Sequence, residues 1–301
     1  MNPPESVPPG AAPPETVRYC GRTFTATELA VLRELAATLP TRRAIADAAC
    51  DTLGWTRPDG RRKDMSARVA LIPMAQDKLI TLPPPRTGNA NRRWPLHLAA
   101  TTEPFPIHAP LAQLRPLRIR LVGTTAESKT WNTQVATHHY LGYSPLPGAQ
   151  LRYLIESDTH GILALPGFGA SARKCAARDT HPGWDPTTRE ANLHLVVGNA
   201  RFLICPHVHV PHLASHVLPA LTRRLPADWQ DTYSYTPVLA ETFVERDRFA
   251  GTSYKAANWI HVGHTTGAGK LDRHHKHELP IKDVYLYPLH RAYHNILTNS
   301  S

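Results

Sequence analysis

Proline divides this chain before any other residue type does. It fixes φ and lacks an amide hydrogen, so it stops helices and is kept out of central strands. The first 16 residues hold six prolines and almost no large apolar side chain, and they read as a disordered tail. A second proline-interrupted stretch, PPPRTGNANRRWPLHLAATTEPFPIHAPLAQLRP (83–116), cannot carry a long regular element, and its part over 87–116 reads as a linker. Between and beyond these lie a small unit over 17–86 and a larger one over 117–301. With 301 residues, of which 42% are hydrophobic, the chain can fill two cores.

In the small unit, ATELAVLRELAATL spaces Leu29, Leu32, Leu35 and Leu39 by three and four, an amphipathic helix capped by Thr25 or Thr27. Pro40 stops it. Thr41 then caps a second helix with Ile45, Ala49 and Leu53 on one face. After a turn at Asp59-Gly60, a third helix runs through Met65, Val69 and Ile72, and Leu79–Leu82 reads as a short strand. Three helices followed by a strand is the order of a winged helix-turn-helix, which lays one helix in the major groove of DNA. Residues 1–100 hold 14 Lys and Arg against 9 Asp and Glu. Arg57, Arg61, Arg62, Lys63 and Arg68 cluster before and on the third helix, and Arg86, Arg92 and Arg93 follow the wing strand. These are candidate DNA contacts, with Arg86 counted among them; the alternative is a helical packing module with solvated arginines.

In the larger unit, strands are expected at LRIRLVG from Leu117, in a hairpin over Leu151–Ile155 and Ile162–Leu165, within REANLHLVVGNARFLICPHVHV, at Pro237–Val244, at Ala257–Val262 and at VYLYPL. Helices are expected at KTWNTQVATHHYLGY, at ASARKCAARD and at PHLASHVLPALTRRLPADW, where Leu213, Val217, Leu221 and Leu225 share a stripe. Strands and helices mix without strict alternation, so the class is α/β in the mixed, α+β sense.

The formal net charge is +10, which fits a polyanion partner, nucleic acid ahead of membrane. An arginine-rich coding bias explains it equally well. The four cysteines, Cys20, Cys50, Cys175 and Cys205, lie far apart without a CxxC pair. The first residues lack the apolar core of a secretory leader, and no run of about 18 apolar residues exists. A cytoplasmic protein with reduced thiols and no membrane contact is therefore expected.

Eight motifs stand in order along the chain: HHYLGY (138–143), LRYLI (151–155), Arg178-Asp179 with Gly183-Trp184, NARFLICPHVHVPHLAS (199–215), Asp228-Trp229, ETFVE (241–245), GTSYKAANWIHVGHTTG (251–267) and KDVYLYPL (282–289). Together they resemble the Druantia DruA-like family, found in anti-phage defence and also beside or fused to transposases. The resemblance covers nearly all of 117–290, and CDTLGWTRPDGRRKDMSARVAL (50–71) resembles the region before the core. It implies a DNA-associated component of a Druantia-type defence system, with other defence or transposition proteins as partners. Two alternatives stay open: an acyltransferase-like or nucleobase-modifying enzyme, and a transposition-associated DNA-binding protein. The order of the hairpin, the strand entering a helix at 212–225 and the GTSYKAANWIHVG segment also resembles the GCN5-related acetyltransferase arrangement. In that arrangement the amides of a helix N-terminus bind pyrophosphate. The corresponding turn here, His209–Ser215, has no glycine cradle, which disfavours acetyl-CoA and leaves the cofactor unassigned.

Four residues are candidates for catalysis. Glu241, at a strand end, suits a general base if burial raises its pKa; pairing with an arginine such as Arg246 is the alternative. Tyr254 lies where acetyltransferase-like folds place a general-acid tyrosine, and it also suits a core. Asn258, beside Trp259, could bind a base that the ring stacks. Asp179, next to Arg178 and near Trp184, suits a polar substrate or an internal salt bridge. Cys205, His207 and His209 would share a strand face, a spacing permissive for zinc, but no further ligand is near in sequence and no metal is assigned. GHTTGAGK lacks the GxxxxGK[ST] spacing of a phosphate loop. RHHKHE (273–278) reads as a mobile basic loop.

Overall fold

The computed structural model describes residues 16–58, 60–85, 105–146, 148–267 and 279–299. The chain forms two compact units, Met1–Arg93 and Trp94–Ser301. Of the expected tail, 1–15 lie outside the described residues, while Thr16 already belongs to a strand.

The first unit opens with a hairpin of β1 (Thr16–Tyr19) and β2 (Arg22–Thr25). Its turn residues Cys20 and Gly21 both take positive φ, the twist that tight hairpins favour. Thr25 ends β2 and caps α1 (Ala26–Thr38): its hydroxyl accepts the Glu28 amide at 3.2 Å, and the Glu28 carboxylate accepts the Thr25 amide at 3.0 Å. Thr41 caps α2 (Arg42–Thr52), and α3 (Asp64–Gln76) follows. Phe24, Leu29, Leu32, Ile45, Trp55, Leu71 and Met74 fill the core.

One expectation fails here. The segment Leu79–Leu82 forms no strand. Lys78 turns the chain with φ +59, Arg33 Nε donates to the Leu79 carbonyl at 2.8 Å, and Arg42 Nε donates to the Pro83 carbonyl at 2.7 Å. Side chains therefore take the carbonyls that a wing strand would have used, and the unit's hairpin precedes its helices. The third helix stands where expected, as α3, and it carries two apolar stripes. The helix buries Ala67, Ala70, Leu71 and Met74 and leaves Met65, Val69 and Ile72 about half exposed. Small residues win the inner face because they allow close approach to Ala46 and Ala49 of α2.

The second unit begins by packing part of the expected linker. Ile107 pairs with Val208, and Ile107 and Leu114 are buried in the main core. The elements then run β3 (Leu117–Leu121), α4 (Thr125–His138), β4 (Leu151–Ser157), β5 (Gly161–Ala170), α5 (Ala176–Thr180), α6 (Pro186–Asn192), β6 (Val196–Ile204), α7 (Leu213–Tyr233), β7 (Leu239–Glu245), α8 (Thr252–Ala256), β8 (Ile260–His264), β9 (Lys282–Pro288) and α9 (Tyr293–Thr298). One mixed sheet holds the strands in the order β3-β4-β5-β6-β7-β9-β8, confirming the α/β class. All described neighbours are antiparallel except β6 and β7, which run parallel over Val196–Asn199 and Leu239–Thr242. Such a pair needs a long crossover, supplied here by α7.

Strand alternation sends side chains to two different layers. On one face, Tyr153, Ile155, Val197, Ala240 and Tyr285 pack with the α7 stripe Leu213, Val217, Leu221 and Leu225, while Arg152, next to Tyr153 in β4, turns to Trp131 of α4 across the sheet. On the other, Val196, Leu239, Val284 and Leu286 pack with Cys175 and with Leu297 of α9. No helix of the described residues is long and apolar enough to cross a membrane.

Candidate functional site

Beyond Asn199 and Thr242, β6 stays with β5 while β7 stays with β9, so the sheet forks. The fork is sharpened by a bulge. Phe168 faces Asn199 and Gly167 faces Arg201, which leaves Ala200 as an extra residue in β6. Adjacent parallel strands that part in this way leave a crevice at the strand ends, where ligands of α/β sheets bind.

Glu241 does not face this crevice. Alternation points it, with Leu239, to the layer of α5 and α9. There its carboxylate is fully buried against the equally buried Arg178, with Oε2 2.9 Å from Nη1. Oε1 accepts the Ala172 amide at 2.7 Å. Arg178 also donates through Nη1 to the Ala172 carbonyl at 2.7 Å and through Nε to Asp179 Oδ1 at 2.8 Å, and it stacks 5.7 Å from the Trp184 ring. Asp179 in turn accepts the Cys175 amide at 3.3 Å and lies 3.6 Å from Arg189. Burial raises the Glu241 carboxyl above its ordinary range, and the Arg178 cation with the Ala172 amide offsets only part of that rise. Burial also raises the Cys175 thiol. Glu241, Arg178 and Asp179 therefore form an enclosed ion-pair network that fixes the chain between β5 and β6. Arg246, the partner expected for Glu241, instead binds Asp283 at 2.6 Å.

Tyr254 lies on the opposite face, at the fork. Its hydroxyl donates to Asn199 Oδ1 at 2.7 Å, and its ring packs edge-on against Trp259 at 5.1 Å. Burial raises its pKa, so the hydroxyl keeps its proton. Asn258 sits at the corner between α8 and β8 with φ +61, a left-handed conformation that Asn tolerates, and its side chain is exposed. The structure thus does not bring Glu241, Tyr254 and Asn258 into one pocket. Strand alternation turns Glu241 to the layer of α5 and α9, whereas Tyr254 comes from α8 and reaches Asn199 on the other face.

Nor does the chain hold Cys205, His207 and His209 on a strand. β6 ends at Ile204, and the Val208 amide turns back to the Cys205 carbonyl at 2.9 Å. Among the described residues no group of three metal-binding side chains forms. RHHKHE, the Gly269-Lys270 end of the glycine-rich run, Arg86, Arg92 and Arg93 lie outside the described residues.

In the first unit, Arg57, Arg61 and Arg62 line an open concavity with Asp51 and Asp64. Arg62 grips Asp51 with two bonds of 2.5 and 2.6 Å, Arg57 lies 3.3 Å from Asp64, and Arg68 also pairs with Asp64. Lys63 precedes the first residue of α3. The basic cluster is thus interleaved with carboxylates.

Sequence reasoning passed over Arg201. It follows the bulge in β6 and is 9% exposed. Nε donates to the Gly142 carbonyl at 3.2 Å, Nη1 to the Ala200 carbonyl at 2.8 Å and Nη2 to Ser144 Oγ at 3.1 Å. His139 and Tyr140 lie beside it. Burial, with the Arg201 charge, pushes the His139 ring down to about 4. Tyr140 stacks on His139 at 4.9 Å, meets Phe249 edge-on at 5.2 Å and lies 5.0 Å beneath the Arg248 guanidinium. The signal was present in the sequence as a lone cation inside the apolar run LVVGNARFLI.

No curated protein matches the chain. Solved structures similar to it include three of two acetyltransferases. The spermidine/spermine N-acetyltransferase SpeG from Vibrio cholerae with manganese ions is 10% identical over 60% of this chain and 96% of that one, at a TM-score of 0.37. SpeG from the same organism with CoA and spermine is 10% identical over 56% and 92%, also at 0.37. A putative acetyltransferase from Acinetobacter baylyi ADP1 is 11% identical over 58% and 93%, again at 0.37. The family model for the Druantia protein DruA matches residues 91–277, more than half of the chain and nearly all of the forked sheet. This chain belongs to the Druantia DruA family.

Proposed function

We propose that the chain is a DNA-associated component of a Druantia-type anti-phage defence system. The observation that carries this is the family match over residues 91–277. The net charge of +10 and the Arg57–Lys63 cluster support a polyanion partner. The experiment is phage protection by the complete system, scored beside DNA affinity across a salt series. Charge reversal at Arg61, Arg62 and Lys63 abolishes protection and flattens the salt dependence, because phosphate contacts release counterions. Tyr254→Phe leaves protection intact if the chain recognises DNA and removes it if the chain is an enzyme that uses that hydroxyl. Salt-insensitive binding, or full protection by the charge-reversed variant, sinks the DNA reading. DNA binding without any protection favours a transposition role.

A further inference from the structure

We propose that Arg201 is the floor of an anion site at the fork between β6 and β7, built to take a phosphate group. Arg201 is nine-tenths buried, yet the acceptors its guanidinium reaches are all neutral: two backbone carbonyls and the Ser144 hydroxyl. Among the described residues no carboxylate bonds it. Arg178, which is fully buried, has both Glu241 and Asp179. A guanidinium cannot shed its proton to escape burial. Folded proteins keep a buried charge where it is paired or where it meets a charged ligand. Arg201 has no internal partner of that kind, so the geometry points to an external one.

The donor count agrees. Arg offers five N–H groups, and three are spent on the acceptors above, which leaves two to face a ligand. A planar guanidinium matches two oxygens of one phosphate. Around it, His139 is held neutral and Tyr140 keeps its proton, so both can bond an oxyanion without repelling it. Arg248, 3.3 Å from Glu245 and lying over the Tyr140 ring, adds a second cation at the rim. Leu141, Ser144, Arg248 and Phe249 are exposed, so the way in is short. The site does not rest on the DNA reading, whose basic residues belong to the other unit.

The ligand is a phosphate monoester, whether on a free nucleotide or at the end of a nucleic acid strand. The full-length protein is titrated with inorganic phosphate at constant ionic strength, balanced with chloride. Thermal unfolding and the phosphorus-31 line width are read together. Wild type gains stability with phosphate, as any ligand selective for the folded state requires. Arg201→Gln loses about tenfold or more in affinity, the loss expected for a hydrogen bond to a charged group. Without phosphate, Arg201→Met loses three hydrogen bonds to neutral acceptors but orphans no buried carboxylate, so it lowers the melting temperature less than Arg178→Met does. Arg248→Gln, on the exposed rim, weakens binding severalfold with an unchanged fold, and it decides the matter if Arg201→Gln fails to fold. Charge reversal at Arg61 and Lys63 leaves the phosphate response unchanged. Adenosine monophosphate binding more tightly than a 5′-phosphorylated oligonucleotide assigns the site to free nucleotides. A phosphorylated strand binding more tightly than its 5′-hydroxyl twin assigns it to strand ends. No response in wild type, or equal responses in wild type and Arg201→Gln, overturns the site.

Discussion

Replacing Arg178 by Met tests whether the Glu241 network is structural. The substitution keeps the volume and removes the one cation that, among the described residues, pairs with the Glu241 carboxylate. A buried carboxylate that still accepts the Ala172 amide but has lost its arginine costs about 3–5 kcal/mol. For a unit of roughly 200 residues, that lowers the melting temperature by about 6–20 °C. Glu241→Gln costs less, because Arg178 retains Asp179 at 2.6 Å. The double variant Arg178→Met, Glu241→Met recovers most of the loss, since neither charge is then left buried alone. The pH dependence has a definite sign. Without Arg178, burial holds the folded pKa of Glu241 above its unfolded value of about 4.3. The protonated form is then tolerated, so the gap between variant and wild type is small below that value and widens as pH rises through the folded pKa. Calorimetric unfolding at several pH values checks each statement. A loss under about 1 kcal/mol at pH 7, a gap that narrows with rising pH, or a double variant as damaged as the sum of the singles would refute the argument.

Three further outcomes follow from the same structure. Gly251→Ala destabilises the larger unit by about 1–3 kcal/mol, because Gly251 has φ +68 and an added Cβ would lie 2.8 Å from Tyr285 Cζ; denaturant titration reads this. Tyr254→Phe costs about 0.5–1.5 kcal/mol through the lost bond to Asn199, and an unchanged midpoint would show that the bond is not formed in solution. Asp283 is held below the ordinary carboxylate range, first by its bond to Arg246. It stabilises the fold above about pH 3.9 and loses that contribution as pH falls, so Asp283→Asn flattens the acid limb of the stability curve.

The class of the larger unit was legible because its strands are short, apolar and separated by turn residues, and because the α7 stripe is strictly periodic. The β4–β5 hairpin and its turn stand where the pattern puts them. The pairing of Glu241 was not legible, because its partner lies 63 positions away on a five-residue helix that no local pattern ties to β7. The helix at α3 was legible, but which of its faces is buried was not, for a different reason. Two apolar stripes on one helix satisfy the same periodicity, and only packing against α2 chooses between them. The wing strand failed because β propensity at Leu79–Leu82 says nothing about whether a partner edge is free. Arg201 needed the bulge and the fork to be recognised, since a cation within a strand is ambiguous until its neighbours are known.

The single parallel pair also sets the order in which the sheet can assemble. β3, β4, β5 and β6 follow one another in sequence and in space, so this half zips from local contacts as it leaves the ribosome. β7, β8 and β9 form a second local group. The halves join through only four residue pairs, Val196–Leu239 to Asn199–Thr242, after α7 has docked between them in sequence. Until then the inner edge of β6 stands open, a bare ladder of amides and carbonyls that another chain could capture. The crevice that can admit a ligand in the finished protein is thus the last seam to close, and the chain is most exposed to mispairing during synthesis there.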